Sequence, residues 1–338
     1  MTVVAEMHET YGATFFDRGD RRFVRDYGRP ERTHRAVRNG VGVVEMGYGV
    51  VVIEGDDRVE FVDDTVSNQV PATEGAGVYA LLLDPQGRIE TDLYVYNAGE
   101  RLLCFTPPDR AEPLADEWAG NVFIRDVEVR AASTEFAVFG VHGPNSTEKV
   151  ASVLNGAGSP EPELTFVRGS MGGEGVTVVA GDGLTGEEGY EVVCTADAAH
   201  RVFETLLSFG MNAVPFGYRT WQTLTIEAGT PLFDTELDGR IPNVLGLRNA
   251  LDFAKGCYPL PDPGAAVTAD GDRIGEVTRA VESPSLEEPI ALALVDFDAG
   301  GESVSVDGDD GTVDAVRTPL PFVDGGAVSK RLPTYPEA

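Results

Sequence analysis

The sequence predicts an α+β fold followed by a smaller C-terminal β-barrel. Up to about residue 263, segments with the apolar period of strands alternate with segments that have the period of helices. Beyond Gly264 the pattern changes to short strands between Gly/Asp turns, as in Ile290–Val295. A chain of 338 residues is also long for a single core. These observations together predict more than one structural unit.

We place one boundary at the change of pattern. Residues 1–263 form the larger region, with internal units at roughly 30–155 and 156–263, and residues 264–338 form the C-terminal domain.

The first part of the chain predicts strands, a short helix and a β-hairpin. Val50–Ile53 reads as a strand and Arg58–Val66 as a helix. Val78–Leu83 then leads into Asp84–Gly87, which has the aspartate, proline and glycine of a type I turn. The returning strand is predicted at Arg88–Tyr96. Its alternation divides it into a polar and aromatic face with Glu90, Asp92, Tyr94 and Tyr96, and an aliphatic face with Ile89, Thr91, Leu93 and Val95.

Three further helices are predicted in the second part. One begins at Gly143-Pro144 and runs to about Leu154, and one spans Tyr218–Ala228 before Gly229. Between them, Asp197 and Gly210 are the expected N-cap and C-cap of a third helix. Its core positions share helical spacing and are Val202, Phe203, Leu206 and Leu207. Strands are predicted at Val176–Val179 and Tyr190–Val193.

The charge is strongly acidic. The net charge of −30 comes from 56 acidic and 26 basic residues. Such self-repulsion is relieved when salt screens it, so we expect a halophilic protein in a salt-rich cytoplasm. Because the acidic residues are spread along the whole chain, we interpret them as a solvated coat that serves solubility, in preference to a binding surface. Binding of nucleic acid through a basic face is excluded by this balance.

The cysteines and histidines predict neither a disulfide framework nor a metal site. Cys104, Cys194 and Cys257 are odd in number and far apart, which fits a reducing compartment. The four histidines lack metal-ligand spacing. No window reaches membrane-spanning length, so we expect a soluble, cytoplasmic protein without a membrane partner.

One glycine motif has to be set aside. Gly181–Gly186 matches G-x-G-x-x-G, but a dinucleotide site needs a helix that starts at the glycines. Here Glu187 and Glu188 would repel phosphate, and Tyr190–Val193 alternates as a strand.

Five segments, in this order along the chain, carry a family resemblance. They are His34–Gly40, Gly87–Leu93, Thr185–Glu191, Pro215–Pro231 and Lys255–Tyr258. The first four resemble motifs of the glycine-cleavage aminomethyltransferase (T-protein, GcvT) superfamily, including its T-G-E-x-G-Y-E signature. The last, with Lys255, Gly256, Cys257 and Tyr258, is similar to the K-G-C-[FY] motif of the YgfZ branch.

The resemblance implies a fold of intertwined ferredoxin-like units around a folate cavity, followed by a C-terminal β-barrel. It also implies tetrahydrofolate, or a one-carbon derivative of it, as the ligand. Asp92 matches the family aspartate that approaches the folate nitrogens, and Glu187 matches the glutamate that accepts hydrogen bonds from pterin. Tyr79 and Tyr190 complete the expected cofactor-binding set, and Cys257 would be a reactive thiol at the cavity mouth.

Several positions depart from the family pattern, among them Leu184 in place of a tyrosine before T-G-E and Met46–Gly49 in place of a Ser-His pair. Trp221 and Thr225 stand where the family helix usually carries arginines, and Pro259–Pro263 replaces the x-G-Q-E that follows the cysteine in the YgfZ branch.

Three functions remain open on this basis. The first is a YgfZ-type folate-binding protein that supports assembly or repair of iron–sulfur enzymes, with iron–sulfur client proteins as partners. The second is a tetrahydrofolate-dependent aminomethyltransferase or methyltransferase, with a lipoyl carrier protein as partner and Asp92 assisting by charge or proton transfer. The third is a folate-binding regulatory module without turnover. Whether the chain is an enzyme is therefore left undecided.

Overall fold

The computed structural model describes residues 2–18, 21–242, 247, 250–252, 274–286, 288–295, 303–308, 311–316 and 318–322. These residues contain mostly antiparallel strands with helices between them. The helices are α1 (Ala5–Thr10), α2 (Pro30–Arg38), α3 (Arg58–Asp63), α4 (Ala111–Gly120), α5 (Ser146–Val153), α6 (Ala199–Ser208) and α7 (Tyr218–Glu227).

The strands are β1 (Thr14–Arg18), β2 (Arg21–Asp26), β3 (Gly42–Met46), β4 (Gly49–Glu54), β5 (Gly77–Leu83), β6 (Ile89–Asn97), β7 (Arg101–Thr106), β8 (Glu128–Ala131), β9 (Phe136–His142), β10 (Phe166–Met171), β11 (Glu174–Ala180), β12 (Gly189–Thr195), β13 (Val214–Pro215), β14 (Gly275–Ser283), β15 (Glu288–Val295), β16 (Ser303–Gly308) and β17 (Gly311–Val316).

Two sheets build the larger region. One has five strands in the order β5-β6-β7-β4-β8, and the other has six in the order β10-β11-β12-β9-β3-β13. All neighbours are antiparallel except β13, which runs parallel to β3. The fold class is therefore α+β, as the sequence predicts.

Hydrophobic clusters show how these sheets are layered. Apolar residues of α3 and α4 pack on one face of the five-stranded sheet, and those of α5 and α6 pack on one face of the six-stranded sheet. A third cluster joins the two inner faces, with Tyr79, Tyr94 and Phe105 from one sheet and Val138 and Val193 from the other. Burial of this apolar surface from both sheets holds them together.

The C-terminal strands form two antiparallel pairs, β14 with β15 and β16 with β17. The first pair is tied to the larger region by Arg279 of β14. Its Nε donates a 2.8 Å hydrogen bond to Glu236, and its Nη1 donates a 3.0 Å hydrogen bond to Thr225 of α7. Because all three side chains are buried, this link is shielded from salt.

Most predicted elements are present, with shifted ends. The helix predicted from Asp197 begins at Ala199, because a 3₁₀ turn at Ala196–Ala198 precedes it, so Asp197 is not its N-cap. Gly210 and Gly229, which follow α6 and α7, have φ of +64° and +71°. Left-handed backbone of this kind favours glycine, as expected after a helix.

The hairpin differs from its prediction near its turn, where Glu90 lies on the side of Trp118 and not on the side of Asp92. The pairing of β5 with β6 shifts at Leu82/Leu83, so that Leu83 lies opposite Ile89. This β-bulge moves Ile89 into the cluster of Tyr79 and Tyr94 instead of the aliphatic cluster of Leu93. Asp92, beyond the bulge, keeps its predicted face with Tyr94.

Among the described residues, no helix is long and apolar enough to cross a membrane.

Candidate functional site

A cavity lies between the two sheets, beside α7 and the β1–β2 hairpin. Its volume is about 180 Å³. On the same measure one water needs roughly 10–15 Å³, so the cavity has space for a group on the order of a dozen waters in size. Side chains from β1, β2, β3, β6, β7, β9 and α7 line it, which means that the packing of both sheets sets its shape.

Asp92 is the carboxylate that β6 directs to the inner part of this cavity. Its side chain is buried, with 7% exposure. The Tyr79 hydroxyl donates a 2.9 Å hydrogen bond to Oδ2 of Asp92. Asp92 faces the cavity because it alternates with Leu93, which packs on the opposite side of the sheet. A buried carboxylate held by a hydroxyl is oriented to accept a further hydrogen bond from a ligand.

Two other tyrosines at the cavity are held in the same manner by carboxylates of the second sheet and its loop. The Tyr94 hydroxyl donates a 2.8 Å hydrogen bond to Asp182, and the Tyr48 hydroxyl donates a 2.6 Å hydrogen bond to Glu191. Sequence reasoning missed both Asp182 and Glu191. The sequence signal for them is weak: Asp182 lies three residues before the motif Thr185–Glu191, and Glu191 is its last residue.

The wall of the cavity is largely aromatic. The Tyr48 ring stacks on Phe105 with centroids 5.6 Å apart and an angle of 11°, and Tyr94 meets Tyr48 edge-on at 6.3 Å. Trp221 and Phe233 add two more aromatic side chains to the lining. Flat aromatic faces around one carboxylate suit a planar ring that carries N–H groups.

Arginines occupy the more open end of the cavity. Arg18, Arg21 and Arg22 all line it. Arg18 forms an ion pair with Asp234, and this hydrogen bond raises the pKa of the Arg18 guanidinium. The cavity thus runs from the buried Asp92 to a mouth with the more exposed Arg18 and Arg22, and Glu45 and Asp234 line it as well.

Glu187 and Tyr190 do not line this cavity. Glu187 is half-buried and lies 3.6 Å from Nη1 of Arg38. Burial raises the pKa of its carboxyl, although the charge of Arg38 acts against this shift. Tyr190 packs in the cluster on the outer face of the six-stranded sheet, and its hydroxyl lies 2.9 Å from Oγ1 of Thr147. The structure therefore brings together Asp92 and Tyr79 but not the other two predicted cofactor-binding residues.

A second cluster of polar side chains surrounds Glu227 at the end of α7. Glu227 is buried and accepts hydrogen bonds from His34 at 2.9 Å, from Arg38 at 2.8 Å and from Ser283. Burial works against the ionised form, but the hydrogen bond and charge of His34 together with Arg38 lower the pKa of Glu227 below its ordinary value. The group joins α2, α7 and β14, so its role is to hold these elements together.

His142 at the end of β9 is also buried. It lines a small space beside the cavity, next to Asp182 and Glu191, and its ring is 5.2 Å from that of Trp221. Burial lowers the pKa of His142 to about 3, so the imidazole is neutral near pH 7.

The predicted motif Lys255, Gly256, Cys257 and Tyr258 lies outside the described residues. The two described cysteines are both buried. Burial raises the pKa of the Cys194 thiol to about 12 and raises that of Cys104 as well. Both are therefore protonated and weakly nucleophilic in the folded protein. Within the described part of the chain, no three His, Cys, Asp or Glu side chains are arranged to hold a metal ion.

Comparison with family models gives two adjoining matches. The model of the GCVT N-terminal domain matches residues 4–255, and that of the glycine cleavage T-protein C-terminal barrel domain matches residues 250–324.

Two relatives that match almost the whole chain are named aminomethyltransferase. An aminomethyltransferase of Cutibacterium acnes is 30% identical over 363 residues, covering 95% of this chain and 97% of the relative. An aminomethyltransferase of Bacillus subtilis is 25% identical over 340 residues, covering 90% and 93%.

A solved structure has the same fold. The crystal structure of the glycine cleavage system aminomethyltransferase T from Bartonella henselae superimposes with a TM-score of 0.78, at 20% identity, covering 96% of this chain and 98% of that one. The predicted fold, an α+β region followed by a C-terminal barrel domain, is thereby confirmed.

Proposed function

The chain belongs to the glycine cleavage T-protein family, and from this premise we propose that it binds tetrahydrofolate and transfers a one-carbon unit, as an aminomethyltransferase or methyltransferase. The observation that carries the proposal is the buried Asp92 carboxylate, which Tyr79 orients inside an aromatic cavity. The full-length relatives named aminomethyltransferase favour this function over the YgfZ type.

The residues of the cavity fit a reduced pterin. The rings of Tyr48, Tyr94 and Trp221 would pack on its flat faces, and Asp92 offers acceptor oxygens to its N–H groups. When bound, tetrahydrofolate supplies the nitrogens that carry the one-carbon unit. The Asp92 carboxylate would hold a proton or stabilise positive charge at that place, where exclusion of water strengthens its effect.

Tyr79 and the wall have supporting roles. The Tyr79 hydroxyl keeps the Asp92 carboxylate in one orientation, and the apolar side chains of Val50, Phe105 and Val138 keep water away from it. Glu187 does not line the cavity but lies beside Arg38, so we do not place it in contact with the pterin.

The YgfZ type is the second candidate, and the segment Lys255–Tyr258 favours it. A lysine and a glycine beside Cys257 would favour an accessible thiolate. In this alternative the protein supports iron–sulfur enzymes, and client proteins replace the lipoyl carrier protein as partners. A regulatory module that binds folate without turnover would share the same cavity.

Titration calorimetry with tetrahydrofolate, under anaerobic conditions and in multimolar potassium chloride, tests binding. We expect Asp92→Asn to weaken binding, since it removes the negative charge and replaces one of the two acceptor oxygens by an NH2 donor, at a cost of about 1–3 kcal/mol. Glu90→Gln on the same strand is the matched control, because Glu90 is exposed. Absence of binding by the wild type would overturn the proposal.

Turnover is tested separately with an aminomethylated lipoyl carrier protein, by following the formation of methylenetetrahydrofolate. The same protein is tested for rescue of an iron–sulfur enzyme in a strain that lacks its YgfZ-type protein. Turnover without rescue supports the transferase. Rescue without turnover supports the second candidate, and binding with neither supports the regulatory module.

A further inference from the structure

Three of the few basic side chains of this protein lie at the cavity. Only 26 of the 338 residues are lysine or arginine, yet Arg18, Arg21 and Arg22 all line this one opening. Three acidic side chains, Glu45, Asp92 and Asp234, line the cavity as well. An arginine of the lining therefore favours an anionic group of a ligand only where no acidic side chain of the protein is already paired with it.

Two of these arginines are poor candidates for binding such a group, because one is paired with an aspartate and the other is exposed to solvent. Arg18 forms a two-pronged ion pair with Asp234. Arg22 lies 3.9 Å from Glu9, and its side chain is 45% exposed. An ion pair between the exposed Arg22 and a ligand would contribute little to the affinity, particularly in high salt.

Arg21 differs from both. It is half-buried, and its Nη1 donates hydrogen bonds to three backbone carbonyls, of Gly47 at 3.2 Å, Tyr48 at 3.1 Å and Pro108 at 2.8 Å. Among the described residues, no carboxylate lies within ion-pair distance of its guanidinium. Burial lowers its pKa, but an arginine keeps its charge.

The geometry of these contacts leaves one side of the guanidinium for a ligand. All three carbonyls accept hydrogen bonds from Nη1, and these contacts fix the plane of the guanidinium group. Its Nε and Nη2 have no hydrogen-bond partner among the described residues, and this pair of donors matches a carboxylate in a bidentate arrangement. A half-buried cation without an anion is unfavourable, and a ligand carboxylate would offset that cost.

We propose that Arg21 binds a carboxylate of the ligand's tail, which for tetrahydrofolate is a carboxylate of the glutamyl group. The proposal rests on the proposed function, because it takes the ring system of folate to lie near Asp92. Asp92 is buried, whereas Arg18 and Arg22 are partly exposed, so a tail that leads from rings at Asp92 towards solvent would pass the arginines.

A double-mutant cycle between protein and ligand tests this assignment. Wild type and Arg21→Gln are titrated with tetrahydrofolate and with its bis-amide, in which both glutamyl carboxylates are neutral. We expect Arg21→Gln to lower the affinity for tetrahydrofolate about tenfold or more. The same variant should change the affinity for the bis-amide by less than about threefold. Arg21→Lys should regain part of the loss, since it keeps the charge without the fork.

The control variant is Arg25→Gln. Arg25 is an exposed arginine of the same strand that does not line the cavity, so its loss changes the net charge equally and should leave both affinities unchanged.

The outcomes separate the two proposals. Equal weakening of both ligands by Arg21→Gln would show that Arg21 only ties the three carbonyls together, and would overturn this inference while the proposed function stands. A wild type that binds neither ligand would overturn the proposed function itself. Thermal midpoints of the free variants establish that each is folded before titration.

Discussion

Tyr79 and Asp92 are diagonal neighbours across the β5–β6 hairpin. In the register of this hairpin Tyr79 lies opposite Tyr94 and Asp92 lies opposite Leu81, which places Tyr79 and Asp92 on one face at diagonal positions. This distance is within the reach of an aromatic side chain, and the hydroxyl closes it with a 2.9 Å hydrogen bond. The orientation of the candidate functional carboxylate is therefore set by the pairing of two strands.

Tyr79→Phe should weaken the binding of tetrahydrofolate without preventing folding. The variant removes one hydrogen bond to a charged group, and such bonds contribute about 1.5–3 kcal/mol. Combined with Asp92→Asn, its effect on binding should be less than the sum of the two single effects, because both act on one carboxylate. Calorimetry on the four proteins measures this coupling. Strict additivity would contradict the view that Tyr79 acts through Asp92.

The alternation of the β6 strand was enough to place Asp92 with Tyr94 and Tyr96, since side chains on a strand have a period of two. It was not enough for Ile89, because the β-bulge adds one residue to the pairing and moves Ile89 to the other face. A bulge depends on how the partner strand is aligned. The local sequence carries little information on that alignment.

The carboxylates Asp182 and Glu191 could not be predicted for a different reason. Their partners Tyr94 and Tyr48 lie 88 and 143 residues away in the sequence. Such contacts arise only when the two sheets pack face to face. A motif near Glu191 indicates that the segment matters, whereas the choice between Tyr190 and Glu191 as the inward side chain depends on the register of β12.

Glu227→Ala should destabilise the fold strongly. The change leaves the buried His34 and the mostly buried Arg38 without their shared acceptor, and breaking a buried ion pair costs about 3–5 kcal/mol. Chemical denaturation at fixed potassium chloride measures the free energy of unfolding. Glu204→Ala is the matched control, since Glu204 is only partly buried and pairs with exposed Arg201, and its loss should cost less than about 1 kcal/mol. Similar costs for both variants would contradict the structural role of Glu227.

Acid should destabilise the protein partly through His142. Its pKa is lowered from 6.5 to about 3 in the fold, so between these values the unfolded chain binds a proton that the folded protein does not. Stability therefore falls as pH decreases from about 6.5 towards 3, by up to about 1.4 kcal/mol per pH unit for this one group. Above pH 6.5 the effect is absent.

His142→Gln should make the unfolding free energy less dependent on pH in that range. Denaturation curves at several pH values between 6.5 and 4.5 give the slope. His200→Gln changes an exposed histidine and should leave the slope as in the wild type. An unchanged slope in His142→Gln would mean that folding does not lower the pKa of His142.

Salt should stabilise the protein. Repulsion among exposed acidic side chains, which give the net charge of −30, weakens as the Debye length falls from about 10 Å at 0.1 M to 3 Å at 1 M. The thermal midpoint is therefore expected to rise from low to multimolar potassium chloride. A flat or falling midpoint would reject the prediction of a halophilic protein.

Cys257 should be the cysteine that reacts first in the folded protein. Cys104 and Cys194 are buried in strands β7 and β12, and burial raises the pKa of both thiols, so little thiolate is present at neutral pH. Cys257 instead follows Lys255 and Gly256 and precedes a proline-rich segment, which favours an accessible thiolate. Limited alkylation of the native protein, followed by peptide mass spectrometry, compares the three rates. If Cys104 or Cys194 reacts as fast as Cys257, or if Cys257→Ser fully retains the rescue of iron–sulfur enzymes, the YgfZ-type function loses the residue on which it depends. Turnover that persists in Cys257→Ser would at the same time be the result expected of a transferase whose chemistry lies at Asp92.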